Sequence, residues 1–493
     1  MQIAENLQLW IVRLDRRLYA LLIGAAVGLI GALVGLLLAV AGPVITTGLI
    51  FGLIAGLYIL TDLQAALYAL VAVMILLPFG TMPFDIGFTP TLMDVAIGAF
   101  LLVYLMQWMT GRRTTLRLTP VHGLILIYML WLVLSFALGL RYAPFTANVI
   151  RQFAATLLSI SLTFIVVDVM RDPVILRRLV LVILLAVAAQ ALITLGLYVL
   201  PDGTAETLLN RLGRLGYPVG GVIRYIEANP ALPERAIGTW IDPNSLGGLL
   251  AITATIIAPQ VFAKKPVLRY RWLTFTVLAL VGLALILTFS RASALALAGG
   301  LSVIAFVRYR RFIPLLVVVG LLLLLLPQTQ GYIDRFIQAF TAQDLATQMR
   351  LGEYSDSLRL ISRYPIFGVG FTGTPDIDIY TDVASMYLIM ANQIGLVGLA
   401  IYLITIGGLL VYGLVAWQVA KHDDELDAIH LGYHAAVLAG LINAVADLYF
   451  FRLEYQGPIT LFWLTITLAI ASSRLSLERS ATKSTVAKDA EVI

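Results

Sequence analysis

Apolar residues in this chain gather in long unbroken runs instead of alternating with polar ones. The runs fall at 18–41, 44–60, 64–80, 91–109, 121–140, 147–168, 179–200, 243–262, 272–290, 293–308, 312–327, 384–419, 430–450 and 456–473. About 20 apolar residues in a helix are enough to cross a hydrocarbon core roughly 30 Å thick. The pattern predicts an all-α polytopic membrane protein of about 14 helices, or nearer 12 because four runs are short. Two stretches between runs are long, 201–242 and 328–383. Connections of that size are uncommon in compact folds and commonly carry function. Residues 1–480 read as one polytopic domain, and the polar residues 481–493 as a disordered cytoplasmic tail.

Composition closes off the soluble alternatives. Sixty per cent of the residues are hydrophobic and 12% are charged, where a soluble domain carries about a quarter. The absence of cysteine removes disulfides, thiolate metal sites and cysteine nucleophiles together. The net charge of +5 is better read as membrane topology than as affinity for nucleic acid. With the N-terminus in the cytoplasm, the inner segments hold Arg13, Arg16, Arg17; Arg112, Arg113, Arg117; Arg171, Arg177, Arg178; Lys264, Lys265, Arg269, Arg271; Arg308, Arg310, Arg311; Lys421; and Arg474, Arg479, Lys483, Lys488. That is roughly twice the basic content of the outer segments, as the positive-inside rule requires. Both termini are then cytoplasmic, and 201–242 and 328–383 lie outside. No clean cleavage site follows the first run, which reads as an uncleaved span.

The outer segments hold the candidate chemistry. A helix is expected over Thr347–Tyr364, ahead of a Pro365-Ile-Phe-Gly-Val-Gly370 break. Arg350, Glu353 and Ser357 share one of its faces; Asp356, Arg359 and Arg363 share another, spaced for ion pairs. Arg350 stands near the helix start, where the helix dipole offers a cation nothing. Ser290-Arg291 occupies a tight turn between two apolar runs, so Arg291 either snorkels to lipid phosphates or serves a ligand. Arg151 lies just inside the sixth run, with Asp94 and Asp447 placed similarly in the fourth and thirteenth. Each is either a buried polar pair or a cavity charge. Asp242 and Pro243 suit the cap and first turn of a helix; Asn244 beside them can bond a neighbouring helix or a sugar hydroxyl. His122, His422, His430 and His434 all fall at cytoplasmic helix ends. His430 and His434 have metal-compatible spacing but no obvious third ligand, and the outer face is left without an imidazole for acid–base work. Arginine binds phosphate and pyrophosphate bidentately and stays charged at any relevant pH. A ligand with an anionic head lying in the membrane, such as a polyprenyl pyrophosphate, fits both the charge and the place.

At these residues the chain resembles the O-antigen ligase and O-antigen polymerase superfamily of bacterial envelope glycosyltransferases. The matching pieces, in order, are Arg235, Gly238-Thr239 and Pro243-Asn244 entering a span, then Ser290-Arg291 in a tight turn, then Arg350, Tyr354 and Ser357. Pro365-Ile-Phe-Gly368-Val-Gly370, Tyr387-Leu388 and Gly395-Leu396-Val397-Gly398 follow. Together they cover about residues 230–400. The resemblance implies a donor glycan on undecaprenyl pyrophosphate, handled at the outer face of the bacterial inner membrane without metal, nucleotide sugar or other cofactor. It places Arg235, Arg291 and Arg350 where the family holds the pyrophosphate; Asn244, Ser290, Tyr387 and Arg151 are read as glycan or helix contacts. The expected partners are the polyprenyl-linked oligosaccharide, a glycan or glycolipid acceptor, membrane lipid and envelope polysaccharide assembly proteins. One departure stands out: the ligases carry a His-Asn pair where this chain has Ala384-Ser385. The proton of the acceptor hydroxyl then needs another base, and Asp382 and Glu353 are the candidates. Asp382 can also serve as a helix cap, and Glu353 as the ion-pair partner of Arg350. Polymerase is favoured over ligase. A transporter of lipid-linked glycans and a non-catalytic member of an envelope assembly are the alternatives.

Overall fold

The computed structural model describes residues 16–314, 345–374 and 383–491, together with 317, 318 and 321. Two compact units are found, Met1–Ala65 and Ala66–Ile493. In the first, helix α1 (Arg16–Thr61) bends at Gly42 (φ 78°), directly before Pro43. A proline removes one helical hydrogen bond and crowds the preceding turn, so a single apolar segment divides there as the runs 18–41 and 44–60 anticipate.

From Leu63 the chain continues through α2 (Leu63–Leu76), α3 (Leu92–Met109), α4 (Pro120–Gly139), α5 (Ala147–Val169), α6 (Pro173–Val199) and the short α7 (Asp202–Asn210). Next come α8 (Pro243–Ile257), α9 (Arg271–Leu287), α10 (Arg291–Val307), α11 (Leu345–Arg363), α12 (Met386–Ala420), α13 (Asp427–Asn443) and α14 (Gln456–Glu491). The protein is an all-α polytopic membrane protein. Among the described residues, seven helices are long and apolar enough to cross a membrane, and α2, α9 and α10 are shorter apolar helices. Most of the run at 312–327 lies outside the described residues.

The apolar stretch of α14 is buried throughout, and α8 is nearly so. Around α14 the helices are joined by hydroxyls as well as by apolar contacts: Ser159 of α5 meets Thr460 at 2.8 Å, and Thr467 donates to Thr163 at 3.1 Å. Small hydroxyl side chains let helix backbones approach closely where lipid provides little hydrophobic drive between them. The starts of α3, α5, α8, α10, α12 and α14 fall at one end of the bundle, with the ends of α4, α6, α9 and α13.

Four features differ from the sequence expectation. Helix α13 stops at Asn443, short of residue 450, so Asp447 lies in a turn and not in a span. The final helix runs on to Glu491, past the boundary drawn at residue 480. The connection 201–242 is built up: β1 (Arg224–Tyr225) pairs antiparallel with β2 (Glu234–Arg235), with Arg224 opposite Arg235. Trp240, fully buried, pins its far end by donating from Nε1 to the Ile75 carbonyl at 2.8 Å.

The fourth is a break in α12 at Gly395 (φ 71°, ψ 174°). Only glycine reaches this backbone shape without strain, and a Cβ there would strike the Ile366 carbonyl. The opened carbonyls are satisfied from outside the helix. Val369 N–H donates to Asn392 O at 2.8 Å, Gly370 N–H to Gln393 O at 2.9 Å, and Trp131 Nε1 to Ile394 O at 2.9 Å. Ser135 Oγ also donates to Gln393 O, at 2.8 Å. Irregular backbone at membrane depth is tolerated where protein supplies such partners. The Pro365–Gly370 segment is thereby held as an extended strip against the broken helix.

Candidate functional site

Four segments converge where α8, α10 and α12 begin. Asp242 caps α8, its Oδ1 accepting from Asn244 N at 2.9 Å and Ser245 N at 2.8 Å. Arg235, arriving from β2, donates from Nε to the Thr288 carbonyl at 2.8 Å and from Nη2 to Asn244 Oδ1 at 2.6 Å. Asn244 therefore orients an arginine. The Thr288 contact ties Arg235 to the turn that carries Arg291, the first residue of α10. Ser290 caps that helix by accepting from Ser293 N, and Ser293 Oγ donates to Asn443 Oδ1 at 3.0 Å. Immediately before the two caps stand Ile241 (φ 61°) and Phe289 (φ 51°), non-glycine residues in the left-handed region. Such strain costs of order 1–3 kcal/mol and persists where surrounding structure imposes it, often at functional sites.

The third arginine comes from α11. Arg350 is half-buried, and no side-chain hydrogen bond or ion pair to it occurs among the described residues. One turn on, Glu353 Oε2 accepts the Ala384 N–H at 3.1 Å and Tyr354 Oη donates to Ala384 O at 3.4 Å. Glu353 thus holds the segment entering α12. Tyr387, the second residue of α12, donates to the Leu441 carbonyl at 2.9 Å and bridges to α13.

The centre of this arrangement is a residue the sequence reading left as a pair or cavity charge. Asp447 is 3% exposed, and its Oδ2 has no hydrogen-bond partner; the Nδ2 of nearby Asn443 has none either. The backbone carbonyls of Asp447 and Ala444 both accept the Met386 N–H, at 2.9 and 3.0 Å. Asp447 is therefore sewn beside positions 384 and 385, the pair at which the sequence resemblance departs from its pattern. Burial pushes its carboxyl up to about 7, with Arg350, Arg235 and the neighbouring Asn443 amide pulling down and Asp242 pushing up. Desolvation outweighs the two cations because neither contacts the carboxylate. In the adjoining loop, burial and then Asp202 raise Glu234 to about 7 as well.

The other residues singled out from sequence separate from this cluster. Arg151 forms an ion pair with Asp94 at 2.9 Å, and Gln456 Nε2 donates to the other Asp94 oxygen at 2.8 Å. Asp94 also closes a capping box with Thr91 at the start of α3. Arg359 pairs with Asp356 at 3.2 Å on the exposed face of α11. His430 contacts the Gly413 carbonyl and Ser472, and His434 contacts the His430 carbonyl and Ser473, all in the helix packing. Asp382 lies outside the described residues.

Residues 275–403 match the family described as O-antigen ligase. The match takes in Ser290, Arg291, Arg350, Glu353, Ala384, Ser385 and Tyr387, and it supports the resemblance read from residues 230–400. Arg235, Asn244 and Asp447 lie outside it. No curated protein matches the chain.

Proposed function

We propose that the protein is an envelope glycosyltransferase that moves a glycan from a polyprenyl-pyrophosphate donor to an acceptor hydroxyl, with polymerisation favoured over ligation. Arg350, Arg291 and Arg235 hold the pyrophosphate, which must carry the growing charge as the glycosidic bond breaks. Asp447 takes the acceptor proton. The observation that carries this reading is a buried carboxylate with an unpartnered oxygen, in the field of Arg350 and Arg235, beside the place where related ligases carry histidine. A base that titrates near neutrality is suited to general-base work. Glu353 is less suited because its carboxylate already holds the Ala384 amide.

The reaction faces outward across the bacterial inner membrane in this reading, with both termini cytoplasmic. The distribution of basic residues supports that orientation. A single cysteine at position 115 tests it cleanly, since the chain has no cysteine of its own. Labelling there by an impermeant reagent in intact cells would reverse the orientation. The function itself is tested with purified protein and an undecaprenyl-pyrophosphate oligosaccharide. Lengthened or transferred glycan with release of undecaprenyl pyrophosphate is expected. Transport of the donor across proteoliposomes without bond cleavage would favour a transporter instead.

A further inference from the structure

The break in α12 has a second consequence. A cavity of about 210 Å³ lies between the 369–374 segment, the opened turn of α12 and the first turns of α5. Asn392 and Gln393 line it from the break, Gln152 from α5, and Phe371 and Thr372 from the residues that follow the strip. Asn392 is 3% exposed; its Oδ1 accepts from Ser357 Oγ at 3.0 Å, while its Nδ2 has no partner. Gln393 Oε1 is buried and has none either. A buried amide group left unpaired is costly, because its lost hydration is not replaced. Here a donor and an acceptor of this kind stand on consecutive residues of one wall.

The charge of the cavity selects among ligands. Its ionised residues, Arg452 and Glu454, pair with each other at 3.1 Å. The wall therefore offers an anion no excess positive charge, unlike the arginine cluster at the start of α12. Amide donor, amide acceptor, a hydroxyl and an aromatic wall suit a neutral ligand rich in hydroxyls, since each hydroxyl both donates and accepts. The cavity also lies along α11, the helix that carries Arg350 of the proposed clamp. Leu360 of α11 lines it, and the rise from Glu353 to Leu360 is about 10 Å at 1.5 Å per residue.

We infer that this cavity is a subsite for one uncharged sugar ring of the glycan chain, distinct from the pyrophosphate clamp. The inference rests on the transferase reading for its place in a reaction, but sugar binding can be measured without turnover. A ring held here fixes the chain relative to the clamp, so the subsite contributes to substrate affinity and register while the bond breaks elsewhere.

The experiment is saturation-transfer NMR on the full-length protein in lipid nanodiscs. The probes are the methyl glycosides of glucose, galactose, N-acetylglucosamine and rhamnose, each added without lipid or phosphate. Transfer to at least one is expected. It should fall severalfold in Gln393→Leu and in Gln152→Leu, two substitutions of similar volume that leave the backbone contacts of the break intact. Arg350→Ala should leave the transfer unchanged while lowering turnover about tenfold to a hundredfold. No transfer to any of the four, or transfer that survives both substitutions in protein of unchanged melting temperature, overturns the subsite. Sugar-dependent transfer lost in both variants, in a wild-type protein that turns over no donor, retains the subsite and removes the transferase reading.

Discussion

Asp168 and Asp447 are buried carboxylates at opposite ends of one bundle, each set among arginines, yet their surroundings differ. Asp168, at the end of α5, is fully buried and bonded on all sides. It accepts from Arg113 at 2.6 Å, Arg171 at 2.8 Å, the Arg117 amide at 3.0 Å and Tyr104 at 3.3 Å. Asp447 has two arginines close enough to shift its titration, makes no ion pair among the described residues, and leaves Oδ2 without a partner. A saturated buried charge network locks helices together, and removing one member is costly. An unsaturated one stores an interaction that something else must complete. In the proposed reaction the same residue types therefore serve as a fastening at one end and as a reactive centre at the other, and what separates them is the count of satisfied oxygens.

The sharpest way to break this contrast is to neutralise each carboxylate in turn. Asp447→Asn should lower turnover by about 100- to 10,000-fold, the usual range for a lost general base. It should do so without loss of melting temperature. The sign follows from the raised titration. A carboxyl at about 7 in the folded protein and near 4 unfolded gives stability that is full at low pH and lost as pH rises through 7. The neutral asparagine carries no such loss, so above pH 7 the variant should melt no lower than the wild type. Wild-type turnover should rise as pH passes through about 7, and this limb should vanish in the variant. Near wild-type turnover in Asp447→Asn would return the role of base to another group.

Asp168→Asn should show the mirror image. Breaking a buried charge pair on one side costs about 3–5 kcal/mol, so the melting temperature should fall clearly while turnover per folded molecule stays. A stable Asp168→Asn protein with impaired turnover would erase the distinction between the two ends.

Much of this contrast escapes the sequence, for identifiable reasons. The spans were legible because run length alone decides membrane crossing. The positions of Arg235, Arg291 and Arg350 were legible because charges are rare among apolar runs. Asp447 was misplaced because Ala444-Val-Ala-Asp-Leu-Tyr-Phe-Phe451 continues the apolar character of α13 with no glycine or proline to mark its end. The break at Gly395 was hidden for a related reason. One glycine in an apolar helix costs only about 1 kcal/mol and rarely announces a break. The break becomes visible only with the distant N–H groups of Val369 and Gly370, which pair with the opened carbonyls. Both features depend on contacts between segments far apart in the chain, which periodicity does not report.

Smaller effects should follow at the arginines. Arg350→Ala removes a charge-assisted contact to the donor worth roughly 1.5–3 kcal/mol, or about tenfold to a hundredfold in turnover. Its melting temperature should hold, since no partner within the described residues is left unpaired. Arg350→Lys should rescue poorly if the guanidinium fork binds phosphate, because an ammonium cannot make two parallel bonds. Full rescue by lysine would mean that charge alone matters at this position.

The smallest effect is expected at Arg151 and Asp94, which occupy the same end of the bundle as Asp447 but pair as Asp168 does. Their ion pair at 2.9 Å is partly exposed, at 15% and 22%. Asp94 is further held by Gln456 and by the capping box with Thr91. Arg151 is thus paired with protein through Nη1, although its buried Nε has no hydrogen-bond partner and it lies at the end where the donor is expected. A double-mutant cycle of Arg151→Ala and Asp94→Ala separates the two readings. A coupling of about 1 kcal/mol in stability, with turnover per folded molecule retained in Arg151→Ala, identifies a fastening. The Asp94→Ala single variant should cost more than Arg151→Ala, because it also strands the Gln456 amide and opens the α3 cap. Loss of turnover in Arg151→Ala without loss of stability would instead move Arg151 into the donor clamp. Position along the membrane normal would then outweigh partner saturation as the guide to which charges are reactive.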